Sequence, residues 1–201
     1  MPTDLVLTRR TQRTRDKLLR VARTVFEADG YDGASVAKIV EDADVSRGTF
    51  YLYFESKEDI FRTLATTLQE GILHAQEWPA DAPPEEIVRA ATSAFLAFYR
   101  DHARLMAVLE QVATYDPSFR RMRRDMRRGT ARRARRFIAS LQERGEASPT
   151  VDAGYAAVAL TGMMDRFAYV WFVLEEDFEE ERALATLTEL WMRAIGAWPE
   201  G

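Results

Sequence analysis

The sequence predicts an all-α fold, and three observations carry that expectation. Apolar residues recur at helical spacing, as in Leu18, Leu19, Ala22, Val25 and Phe26. Residues suited to helix caps precede the apolar runs, among them Ser35, Ser46, Ser56 and Asp116. The first 75 residues read as four helices with no strand signal, and the remainder continues in the same way.

Taken in order, Thr14 to Asp29 reads as an amphipathic helix, and Gly30 ends it where a left-handed residue is favoured. Asp32-Gly33 forms a turn before a short helix over 35–42. Ala43-Asp44-Val45 then links to a helix from Ser46 to Tyr53. Ser56-Lys57-Glu58-Asp59 has the form of a capping box and launches a long helix to about His74. Trp78 to Pro84, with three prolines, predicts a loop and a candidate domain boundary. Glu85 to Asp101 places Ile87, Ala90, Ala91, Ala94, Phe95 and Phe98 on one helical face, and 103–113 reads as a shorter helix. Asp116-Pro117 supplies a cap and first-turn proline for a helix to Arg144. Ser148-Pro149 begins another to Leu174, and Asp177 to Glu180 caps a last one to about Ile195. The expectation is roughly nine helices with no internal repeat.

Composition narrows the function classes. A chain of 201 residues, 47% apolar, can bury a real core as one domain or two small ones. It has no cysteine, so disulfides and thiolate metal sites are excluded and a cytoplasmic setting is expected. Met1 to Arg15 is polar and lacks the apolar run of a signal peptide. Ala153 to Leu174 is the longest apolar stretch, but Asp165 and Arg166 interrupt it, so a buried helix is expected and no membrane partner. His74 and His102 are the only histidines, and there is no glycine-rich phosphate loop or metal-spaced ligand cluster. Asp101 and His102 are neighbours on a helix and do not face each other. No catalytic residue, metal site or cofactor is expected. The net charge of −4 conceals segregation: arginines crowd 120–136 and acids crowd 175–181.

The segment Ser35 to Phe54 is the most informative. Two short helices joined by a tight turn present Arg47, Gly48, Thr49, Tyr51 and Tyr53 on a surface that a core does not need. A helix entering the DNA major groove must begin with small or flexible groups, so that backbone and side chains reach base edges. Gly48 permits close approach, and Arg47 offers a bidentate fork to guanine. Ser46, Thr49, Tyr51 and Tyr53 suit phosphate oxygens, and Lys57 adds a cation near the backbone. Ile39, Val45, Phe50 and Phe54 are expected to face inward. The alternative is an ordinary helical hairpin whose phenols cover apolar surface.

The run Arg47-Gly-Thr-Phe-Tyr-Leu-Tyr-Phe-Glu-Ser-Lys57, with Gly30-Tyr31 and Ser35 before it, closely resembles the DNA-binding domain of tetracycline-repressor-like (TetR family) transcription regulators. The resemblance is strong over 10–65 and extends beyond only in length and helical layout. It implies a three-helix helix-turn-helix domain with its N-terminal arm over 1–58, and an effector-binding and dimerisation domain over 59–201. It also implies that Ser35, Arg47, Gly48, Thr49, Tyr51, Tyr53 and Lys57 lie at the DNA, and Ser46 joins them from the phosphate reading above. Leu52 departs from the pattern, since many members carry an aromatic or polar residue there. The basic arm Arg9, Arg10 and Arg13 reads either as a groove-reaching arm or as a solvated tail.

One short helix reads too few bases to be selective, so helix-turn-helix proteins pair to read two half-sites of a palindromic operator. The helix 153–174 is apolar nearly all round and must be covered on both sides. A homodimer is therefore expected through Tyr155, Val158, Val170, Trp171, Leu174, Leu187, Leu190 and Trp191, where the resemblance implies a four-helix bundle. The resemblance also implies a small-molecule effector among the middle helices. Candidate lining residues are Phe95, Phe98, Tyr99, His102, Met106, Leu109, Met122, Met126, Met163 and Phe167, with Met164 beside them; methionine and aromatic side chains adapt to varied ligands but equally well fill a core.

Arg120 to Arg136 surround a thin apolar stripe of Phe119, Met122, Met126, Phe137 and Leu141. Three readings stay open: a solvated face, contact with the acidic run 175–181 within one chain or across the dimer, or an anionic effector such as an acyl-coenzyme A. The functional expectation is a repressor released from DNA by a small hydrophobic or amphipathic effector. The rival class is a helical interaction module whose arginine-rich helix binds an acidic partner.

Overall fold

The computed structural model describes residues 9–74 and 82–197, with side chains from 11 to 72 and throughout 82–197. Among the described residues there are eight helices and no strand. They are α1 (Arg9–Gly33), α2 (Val36–Asp42), α3 (Arg47–Tyr51), α4 (Lys57–His74), α5 (Pro84–Tyr115), α6 (Pro117–Glu143), α7 (Ala153–Phe172) and α8 (Glu180–Ala194). The chain divides into two compact units between Thr67 and Leu68, within α4. The expected loop over 78–84 lies outside the described residues up to 81; Pro83 and Pro84 cap and open α5.

The first unit is built from local signals. α1 is regular to Asp29, and Gly30 then takes φ 70 and ψ 179, a conformation essentially restricted to glycine. A Cβ there would meet nothing within 4 Å, so the requirement is conformational, not steric. Ser35 caps α2 by accepting from the Lys38 amide (3.2 Å), and Ser46 caps α3 by accepting from the Thr49 amide (3.0 Å). α2 ends in a Schellman turn: the Val45 amide donates to the Val40 carbonyl (3.0 Å), with Asp44 at φ 48. Aspartate tolerates that left-handed region better than most residues. Leu18, Ala22, Phe26, Ile39, Phe50 and Phe61 are wholly buried, and Phe26, Tyr31 and Phe61 form a cluster of ring contacts.

In the second unit α5 packs on α6, α7 and α8, and α6 packs on α7. The two helices expected over 85–101 and 103–113 are one continuous helix, so the count falls from nine to eight among the described residues. No glycine or proline interrupts 100–104, and His102 Nδ1 donates to the Phe98 carbonyl (2.8 Å) without breaking the helix. α7 starts later than expected. Its cap is Asp152, which accepts from the Gly154 and Tyr155 amides (2.7 and 3.0 Å). Ser148 is engaged elsewhere, donating its amide to the Ile195 carbonyl (2.9 Å). Gly71 of α4 lies against the Phe98 ring so closely that a Cβ would overlap it, and Phe98 is stacked on His102 with centroids 4.1 Å apart. No described helix is long and apolar enough to cross a membrane.

Candidate nucleic-acid interface

In the first unit, α3 is anchored by one face. Phe50 is wholly buried against Phe54, and the half-buried Val45 closes the turn. The opposite face is open: Ser46, Arg47 and Gly48 are exposed, Tyr51 is 56% exposed and Leu52 is 78% exposed. Thr49 and Tyr53 are half-buried. A short helix held by one aromatic and displaying a guanidinium, a glycine and a phenol can enter a major groove without unfolding. The structure brings Ser46, Arg47, Gly48, Thr49, Tyr51 and Tyr53 together, and Ser35 caps the neighbouring helix.

Lys57 is placed differently from its expected role. Its ammonium donates to the Tyr31 and Ala34 carbonyls (2.7 and 3.0 Å) and sits 4.5 Å above the Tyr31 ring. The side chain thus fastens the start of α4 to the turn that precedes α2, instead of standing free toward a phosphate. Arg9, Arg10 and Arg13 belong to the first turns of α1 and do not form an extended arm; of the three, only the Arg13 side chain is described, and it is exposed.

The second unit holds a charged junction. Arg123, 4% exposed, pairs with Glu110 of α5 and with Asp165 of α7, the latter at 2.6 Å. Arg127 reaches the same carboxylates at 3.0 and 3.2 Å. Burial pulls the Arg123 guanidinium down, but the charges of Asp165 and Glu110 outweigh it and hold the group above its ordinary value. Burial also pushes the nearby Tyr99 phenol well up, with the Asp165 charge adding to the rise. Beside the junction lies an open cleft of about 970 Å³, with Ile72, Phe95, Met126 and Val158 among its apolar walls and arginines at its sides. An adjoining apolar cavity bounded by Phe95, Phe137, Met164 and Trp191 holds only about 60 Å³.

Comparison with known proteins then decides the family. Residues 18–64 match the model of bacterial regulatory proteins of the tetR family, and residues 88–197, more than half the chain, match the C-terminal domain of the transcriptional regulator EthR. The chain belongs to the TetR family. The HTH-type transcriptional regulator EthR of Mycolicibacterium smegmatis is 27% identical over 191 residues, covering 92% of this chain and 87% of that protein. TcmR of Streptomyces glaucescens is 37% identical over 94 residues, 46% of this chain and 42% of its own. Among solved structures, a putative TetR-family regulator from Syntrophomonas wolfei superposes with a TM-score of 0.77 at 19% identity, covering 94% of this chain and 99% of that one. Salmonella enterica GusR gives 0.77 at 22%, covering 94% and 98%. These structural likenesses show the fold. The protein is a DNA-binding transcriptional regulator of helix-turn-helix type, from a family of regulators and not of enzymes.

Within this TetR-family regulator, the residues proposed from sequence for the effector do not share one site. Phe95 lines both cavities and Met126 lines the cleft. Tyr99, Met106 and Leu109 are at most 1% exposed and belong to the packed core. Phe98 and His102 stack on each other, and Phe167 packs on Trp171 and Phe178. Met122 and Met163 are half-buried and line neither cavity. Of the interface candidates, Leu187 and Trp191 are 2% and 8% exposed inside their own chain, so neither offers a free surface. Tyr155 (83%), Val158 (64%), Leu174 and Leu190 are exposed, while Val170 and Trp171 are half-buried.

Sequence reasoning missed the junction of Glu110, Arg123 and Asp165. A signal for it existed: Phe119, Arg123 and Met126 share one helical face, and Asp165 interrupts an otherwise apolar helix. Glu180 and Glu181 pair with Arg100 and Arg89 of α5.

Proposed function

We propose that the protein is a homodimeric repressor that holds a palindromic operator and releases it when a small hydrophobic or amphipathic molecule binds the second unit. Residues 1–58 would serve as the DNA-binding domain and 59–201 as the effector and dimerisation domain. The observation that carries this reading is α3, anchored by the buried Phe50 while Arg47, Gly48 and Tyr51 stand open. Arg47 would read a base edge, and Ser46, Thr49, Tyr51 and Tyr53 would position the backbone of the duplex. Ser35 would act by fixing α2, and Lys57 by fixing the turn next to it.

Pairing is supported by the apolar groups that one chain leaves open on α7 and α8, Tyr155, Val158 and Leu190, with Leu174 just beyond α7. A second copy is the natural cover, because a two-fold pair also supplies the second reading helix. Release requires that the effector bind the DNA-incompetent state more tightly than the competent one; equal affinity for both shifts nothing.

The test is a mobility-shift titration on the DNA flanking the coding sequence. Arg47→Ala is expected to cost about 1–3 kcal/mol of operator affinity and to relax selectivity at one base position. Unchanged affinity and selectivity would remove Arg47 from the interface. Tyr155→Asp is expected to turn the dimer into a monomer in sedimentation and to abolish tight operator binding; a monomeric parent protein would overturn the dimer.

A further inference from the structure

We propose that the open cleft of the second unit is a binding site for an anionic amphiphile of small-molecule size. The inference deepens the effector reading above and rests on it for its regulatory consequence, though not for binding itself. Size separates the two candidate cavities. Small-molecule sites run to about 300–1,000 Å³. The small apolar cavity, at about 60 Å³, falls far short, whereas the cleft, at about 970 Å³, lies within that range.

Charge then sets the class of ligand. Arg120, Arg123, Arg124, Arg127, Arg128 and Arg166 line the cleft, against only Glu110 and Asp165 among the acids. The two carboxylates are consumed by Arg123 and Arg127. Arg120 is held by neutral acceptors, the Ala113 and Thr114 carbonyls, so its charge has no counter-ion there. Arg128 pairs only with the exposed Asp125, at 3.7 Å, Arg166 lies 5.2 Å from the Tyr169 ring centroid, and Arg124 makes no ion pair among the described residues. An excess of guanidinium forks facing a shared cavity suits a carboxylate or phosphate head, which each fork can grip through two parallel hydrogen bonds.

The rest of the lining sets the body of the ligand. Ile72, Phe95, Ala107, Met126 and Ala131 give the cleft an apolar floor with no charge to satisfy. Phe95, Thr130 and Thr161 border both the cleft and the small cavity, so the end of an alkyl tail lying on this floor points toward the apolar pocket behind Phe95. A bare anion would leave this surface wet, and a neutral alkyl compound would leave the arginines unmatched.

The experiment is calorimetric titration of the full chain with four probes below their micelle concentrations: decyl phosphate, decanoate, decanol and inorganic phosphate. One or both of the anionic amphiphiles should bind at least about tenfold tighter than decanol and than inorganic phosphate, a difference of one charge-assisted contact or more. The tighter of the two names the head group. Arg124→Gln combined with Arg166→Gln, both exposed positions, should weaken the amphiphile about tenfold while leaving decanol binding and the ligand-free melting temperature unchanged. Added salt should weaken the amphiphile and spare decanol. Decanol or inorganic phosphate binding as tightly as the amphiphiles, or an unaffected double variant, would overturn the proposal. Binding that follows the expected pattern but leaves operator affinity unchanged upholds the site and overturns effector release instead.

Discussion

Lys57 in the first unit and Arg123 in the second are both cations drawn into the protein, and they are satisfied in opposite ways. Lys57 is held by two backbone carbonyls and an aromatic face, with no countercharge. Arg123 is held by two carboxylates from two other helices. Neutral acceptors close together in the chain make the lysine a clamp on a single turn. Charged acceptors on α5 and α7 make the arginine a junction of three helices. The difference teaches how each unit keeps its shape: the reading head by fastening one turn, the second unit by a central ion network that takes up Glu110 and Asp165.

The comparison breaks most visibly at Arg123. Arg123→Ala should cost about 3 kcal/mol in urea unfolding, because Glu110 and Asp165 would face each other with the buried cation gone. The value stays near the low end for buried pairs because Arg127 still reaches both carboxylates. Arg123→Met together with Glu110→Gln and Asp165→Asn should cost far less. Equal losses in the single and the triple variant would mean that packing, not charge, holds the junction.

Lys57→Ala should cost about 2 kcal/mol, the worth of hydrogen bonds to a charged group. Its effect should be confined: faster amide exchange around Tyr31 to Ala34 and the start of α4, with α5 to α8 untouched. Operator affinity should fall for all sequences alike. Exchange that accelerates throughout the chain would show that the clamp is not local.

Alkaline pH sharpens the second half of the comparison. Tyr99 has a phenol raised above its ordinary value of 10.0, first by burial and then by the Asp165 charge. A raised folded value means that stability is complete below pH 10 and is lost as pH climbs above the unfolded value. The loss should approach about 1.4 kcal/mol per pH unit above pH 10. Tyr99→Phe should flatten that slope relative to the parent in paired unfolding curves; identical slopes would assign the alkaline loss to other groups. The smallest effect is Ser46→Ala, about 1 kcal/mol from the lost α3 cap, with operator affinity reduced beyond what stability alone explains.

What the sequence disclosed was what depends on near neighbours in the chain. The caps Ser35, Ser46 and Asp116, the turn at Ala43–Val45 and the open face of α3 are all set within a few residues, and each was expected from its own segment. The effector assignment depended on which apolar residues line space and which fill it. Periodicity cannot separate these, since Tyr99 and Phe95 lie on the same helix with the same character and only Phe95 borders a cavity. The same limit hid Lys57, whose partners lie 26 and 23 residues earlier. Arg123 was one arginine among many until the carboxylates of α5 and α7 came into place around it.

Gly71 has a consequence for engineering. Replacing a mid-helix glycine with alanine ordinarily stabilises a helix by about 0.5–1 kcal/mol, so α4 would offer this position as an obvious improvement. Here the added methyl would drive the Phe98 ring off His102. The bare backbone at 71 keeps the room that the Phe98 ring occupies, and a thermostabilised version of this protein should leave it alone.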